Sequence, residues 1–78
     1  MKTEEYHKKV KELQELADLI AKNIELSHSF LGRAVIDNRE NDIKSTIIFI
    51  NKQKKQYKDT LIELYKFISA ELDKVYKV

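Results

Sequence analysis

The chain has 78 residues, with 15 basic and 13 acidic side chains, one glycine, no proline and no cysteine. Disulfides and thiolate metal sites are excluded, and no apolar run approaches the roughly 20 residues that span a bilayer. A chain this short forms one domain at most, and scaffolds of its size usually need a staple such as a metal or a partner chain.

The first residues, Met1-Lys2-Thr3-Glu4-Glu5, are charged with no apolar segment behind them. A secretory signal is therefore not expected, and cytoplasmic residence is the default. Thr3 with Glu4 and Glu5 reads as a helix start, a hydroxyl cap with acids over the positive end of the dipole. From there Tyr6, Val10, Leu13, Ala17, Ile20, Ile24, Ser27, Leu31 and Ala34 recur at alternating spacings of four and three. That spacing is a heptad seam, the packing face of a coiled-coil-like helix. Leu16, Leu19, Leu26 and Phe30 widen the stripe on one side, as in a bundle helix. The predicted first helix covers about 3–35, with Gly32 either ending it near Leu31 or only weakening it.

Residues 36–42, Ile-Asp-Asn-Arg-Glu-Asn-Asp, are the one convincing turn. Asp37 with Glu40 resembles a capping box, and Asn41 or Asp42 could cap the next helix instead. The second seam then runs through Ile43, Ile47, Ile50, Tyr57, Leu61, Leu64, Ile68, Leu72 and Val75 to about residue 77. Lys54 falls in the middle of this stripe, where a hydrophobe belongs. Residues 51–56, Asn-Lys-Gln-Lys-Lys-Gln, are thus either a polar layer in one long helix or a break between helices over about 42–51 and 55–77. Lys and Gln are good helix formers, which favours the single helix.

The predicted fold is all-α: a long antiparallel hairpin of two helices, each about 50 Å long at 1.5 Å per residue. Pairing about residue 38 or 39 sets Phe30 near Ile47, Asn23 near Lys54 and Leu16 near Leu61. Ser45-Thr46-Ile47-Ile48-Phe49-Ile50 is apolar around nearly the whole helix circumference, more than one neighbouring helix can cover. Ile48 and Ile62 project to one side of the seam, Phe49 and Phe67 to the other. These four are the predicted oligomer interface, with dimerisation into a four-helix bundle as the expected outcome. A three-helix monomer is the alternative if the chain breaks near residue 53.

Chemistry is sparse. Glu25 and His28 have the Glu-x-x-His spacing of di-iron bundles, but Glu25 lies off the apolar arc and points to solvent. His7 stands beside Lys8 and Lys9 on a polar face. Ser27, Ser29, Ser45 and Ser69 have no base-and-orienter pairing, and no glycine-rich phosphate loop exists. Tyr57, Tyr65 and Tyr76 share the seam or its edge, which suits amphipathic rim packing. No catalytic residue, metal or cofactor is expected.

The basic excess sits in residues 51–78, seven basic against four acidic. Lys52, Lys54, Lys55 and Lys58 are candidate contacts to an anionic partner such as nucleic-acid phosphate. They spread around the helix, and 13 lysines against two arginines leave little for base-edge reading.

Phe30-Leu31-Gly32, followed by Ala34, looks like a variant of the Trp-x-Gly turn of the WXG family of small secreted helical hairpins, with phenylalanine where that family has tryptophan. Phe67-Ile68-Ser69-Ala70-Glu71 is similar to the aromatic-x-x-x-acid export signals associated with that system. The resemblance implies export, dimerisation and a role as effector or targeting partner. The residues themselves favour a non-enzymatic interaction or adaptor protein whose partners are itself and another protein. A small nucleic-acid-associated regulator is the runner-up, and no membrane partner is expected.

Overall fold

Two amphipathic helices with one short turn between them must lie side by side, and they do. The computed structural model describes residues 3–75: α1 spans Thr3–Ile36 and α2 spans Glu40–Val75. They run antiparallel in a rod whose Cα atoms extend 59 × 20 × 12 Å. Tyr76 and the side chain of Val75, both placed near the seam by the sequence, lie outside the described residues.

The turn is tighter than predicted, three residues rather than seven. Asn38 adopts φ 54°, the left-handed conformation that asparagine tolerates best after glycine. Around it the Arg39 amide donates to the Ala34 carbonyl at 2.9 Å and the Asn38 amide to Val35 at 3.2 Å. That pair of bonds is a Schellman cap, satisfying carbonyls the helix end would otherwise strand. Arg39 is then the residue that caps α2, its carbonyl accepting from the Ile43 amide at 2.9 Å. The predicted side-chain caps at Asp37, Asn41 and Asp42 are not used. Instead the Arg39 guanidinium pairs with Asp42 at 3.2 Å and sits 5.3 Å from the centre of the Phe30 ring. Gly32 lies inside α1, with nothing within 4 Å of where its Cβ would be, so the aromatic-x-Gly motif does not form the turn.

α2 is continuous through residues 51–56. The α1 seam is the predicted one: Leu13, Ala17, Ile20 and Ala34 are buried, with Ile24, Ser27 and Leu31 half-buried between them. The α2 seam is rotated from its predicted position. Ile43, Ile50, Tyr57 and Leu64 stay on it, but the alternate positions are Thr46, Gln53 and Thr60 rather than Ile47, Lys54 and Leu61, while Ile68 and its neighbour Phe67 are both half-buried. Thr46 and Thr60 are buried, whereas Ile47 is 43% and Leu61 40% exposed. Leu72, also predicted for the seam, is exposed.

Two physical terms account for the rotation. The predicted seam would carry Lys54 into the contact, where an unpaired ammonium is costly, and the rotated one carries neutral Gln53. The second is the open end of the hairpin, where Phe67 stacks on Tyr6 with ring centres 5.6 Å apart and planes 17° apart. Hydroxyls enter this seam cheaply where they bond to their own helix. Thr60 Oγ1 donates to the Gln56 carbonyl and Ser27 Oγ to the Asn23 carbonyl, both at 2.8 Å. Among the described residues no buried side-chain polar atom lacks a partner.

Candidate interaction surface

A heptad seam has two flanks. In α2, Phe49, Gln56 and Glu63 lie one position before seam residues Ile50, Tyr57 and Leu64. Ile47, Lys54 and Leu61 lie one position after Thr46, Gln53 and Thr60. These sets fall on opposite sides of the seam, because a residue step turns the helix by about 100°. The first set shares grooves with the apolar flank of α1. One groove is lined by Leu26, Phe30, Ser45 and Phe49, and another by Leu16, Gln56, Asp59 and Glu63.

The hairpin therefore has two unlike faces. On one, α1 contributes Leu16, Leu19, Leu26 and Phe30, and α2 adds only Phe49 to that apolar set. On the other, α2 contributes Ile47, Leu61, Tyr65 and Leu72, with Ile48 and Ile62 pointing outward from it. All eleven of these residues are exposed, against five buried hydrophobic residues in the whole described core. The axial register is the predicted one, with Phe30 level with residues 45–49 and Leu16 level with 56–63, but the groove neighbours are Ser45 and Phe49 for Phe30, and Asp59 and Glu63 for Leu16. Large apolar residues thus crowd the flanks, while the seam admits Ala17, Ser27, Ala34, Thr46, Gln53 and Thr60 among its leucines, isoleucines and aromatics.

Of the four predicted interface residues, Ile48, Phe49 and Ile62 are exposed, at 66%, 44% and 41%. Ile48 and Ile62 share the outer side of α2, and Phe49 lies on the α1-stripe face. Phe67 is half-buried and occupied by Tyr6 within the same hairpin. Leu19 and Leu26, at 56% and 60% exposed, are surface residues the sequence assigned only to a widened stripe.

The lysine cluster is split as well. Lys54 and Lys58 lie toward the α2-stripe face, Lys55 points outward, and Lys52 lies toward the α1-stripe face. All four are exposed, and none of the ion pairs among the described residues involves them. Glu25 and His28 are both exposed on α1. Among the described residues no three His, Cys, Asp or Glu side chains gather into a metal-holding group. No described helix is long and apolar enough to cross a membrane. Comparison with protein families, with curated proteins and with solved structures found no match to this chain.

Proposed function

We propose that this chain is a non-enzymatic interaction protein, a self-associating helical hairpin that presents a remaining apolar stripe to another protein. The observation that carries the reading is the placement of its large hydrophobic residues. Nine line two exposed faces and two more, Ile48 and Ile62, point outward from α2, whereas among the described residues only five hydrophobic residues are buried. Fully covering a Leu, Ile or Phe contributes about 1.5–3 kcal/mol relative to leaving it in water, so the surface favours association strongly. Contiguous apolar surface of this kind marks interaction sites on soluble proteins. Two unlike faces suit an adaptor, one face for its own copy and one for a partner.

Sedimentation tests the self-association. The wild type should run as a dimer or higher oligomer at high micromolar concentration. Phe49→Asp should shift it toward monomer and lower its melting temperature, because folding and association are linked. A wild-type monomer of ordinary stability at that concentration would defeat the reading.

A second reading rests on Lys52, Lys54, Lys55 and Lys58, which have no carboxylate partner among the described residues and could contact a phosphate backbone. Retention of nucleic acid should then fall steeply with salt, and changing all four to Gln should flatten that slope. Salt-independent retention removes it.

A further inference from the structure

We infer that the α1 stripe docks on the same stripe of a second copy, α1 against α1 and antiparallel, with the two-fold axis at Asn23. The inference deepens the self-association proposed above and rests on it. It comes from an ordering along α1 that the hairpin leaves outside its own seam. Lys9, Glu12, Leu16, Leu19, Asn23, Leu26, Phe30, Arg33 and Asp37 follow one another at alternating spacings of three and four. The first eight lie on α1 and Asp37 opens the turn. This is a second heptad seam beside the first, facing the side where α2 offers Phe49.

Its chemistry is complementary to itself only in one arrangement. Turned end for end about Asn23, Leu16 meets Phe30 of the second copy and Leu19 meets Leu26, to within one residue. Beyond these apolar layers Glu12 meets Arg33, and Lys9 meets Asp37. The two-fold repeats each pair, so four apolar contacts are closed at both ends by opposite charges. A parallel pairing in register would instead set Lys9 on Lys9, Glu12 on Glu12 and Arg33 on Arg33. A slip of one heptad in the antiparallel direction fails too. One slip puts Lys9 against Phe30 and Glu12 against Leu26, and the other puts Arg33 against Leu19 and Asp37 against Leu16. Each buries a charge on an apolar side chain, which is costly.

Asn23 strengthens the assignment. It is the one polar residue between the leucines of the stripe, half-buried, and its side chain makes none of the hydrogen bonds among the described residues. On the two-fold axis its amide would face its own copy, where donor meets acceptor. A single asparagine at a core heptad position is a known way to set register at some cost in stability. In this arrangement the dimer uses the α1-stripe face and leaves Ile47, Leu61, Tyr65 and Leu72 free.

The absence of cysteine makes the axis directly testable. Asn23→Cys should form a covalent dimer on mild oxidation, since residues at the axis approach their own copies closely enough for a disulfide. Ile62→Cys, on the outer side of α2, should not. Glu12→Arg and Arg33→Glu should each weaken the dimer by about tenfold, because each turns two attractive pairs repulsive. The double variant, with the charges exchanged, should recover wild-type association. Both charge variants change exposed residues, so their circular dichroism should remain helical. A dimer in which Asn23→Cys fails to cross-link, or in which the charge exchange fails to restore association, overturns this docking while self-association stands. A monomeric wild type overturns both.

Discussion

The rotated α2 seam makes Ile50 and Ile47 an informative pair, three residues apart and identical in chemistry. Ile50 is 4% exposed and Ile47 is 43% exposed. Truncation to alanine removes three carbons, worth about 2.4 kcal/mol of burial at roughly 0.8 kcal/mol per methylene. Nearly all of that is realised at Ile50 and somewhat over half at Ile47. Alanine returns about 0.4 kcal/mol in helix propensity at either site. Ile50 also leaves a cavity, although a two-helix seam open at its flanks can partly collapse into it. The expected costs are about 2–3 kcal/mol for Ile50→Ala and about 1 kcal/mol for Ile47→Ala. A chain of this length holds roughly 4–12 kcal/mol in all, so the first loss is a large share. Thermal unfolding followed by circular dichroism should show melting temperatures lowered by about 10–20 °C and about 4–8 °C respectively. The scans belong at several chain concentrations, because association adds to apparent stability and must be separated from the seam. A larger loss for Ile47→Ala across the whole range would show that the seam lies where the apolar periodicity alone puts it.

Gly32→Ala should stabilise the protein by about 0.5–1 kcal/mol in urea unfolding, since Gly32 is inside α1 and its added Cβ meets nothing; a destabilised variant would show that the space is filled. Gln53→Leu should raise the midpoint and Lys54→Leu should change it much less, because Gln53 is half-buried on the seam and Lys54 is exposed beside it; the reverse order would move the seam to Lys54.

The hairpin itself was legible because its signals agree. Alternating spacings of three and four, the absence of proline, and one Asn/Asp-rich segment all point to two helices and one turn. The α1 seam could be read residue by residue, since its inner positions are the continuous apolar ones. In α2 the same method chose Ile47 and Leu61 over Thr46 and Thr60. Periodicity weighs hydrophobicity only, whereas packing also weighs the charge on Lys54 and the hydroxyl bonds that let threonine enter a helix contact. The turn was overestimated for a related reason. Asp and Asn side chains looked like caps, but main-chain bonds around Asn38 close the helix and need only that one residue in the left-handed region. The interface candidates split along the same line. The exposure of Ile48, Phe49 and Ile62 could be read as hydrophobes surplus to the seam, while the stacking of Phe67 on Tyr6 could not be read from periodicity.

The composition of the seam bears on what the molecule is for. Had stability of the single chain been the only demand, the largest side chains would face the other helix and the small ones would face water. Here Ala17, Ala34, Thr46 and Thr60 are buried, and Leu19, Leu26, Ile48 and Tyr65 are more than half exposed. Small residues at the contact let two helices approach closely, but they yield little apolar burial per layer. Such layers add little to the contact beyond what Leu13, Ile20 and Ile50 bury, and further large side chains lie uncovered on the two faces. Were further copies of the chain to cover those faces, their concentration would become part of its stability. Because the α1 stripe and the α2 stripe face opposite ways, no single isologous contact can cover both. Were a dimer to close on one face, the other would be left to something else: a partner protein, or further copies in an open array.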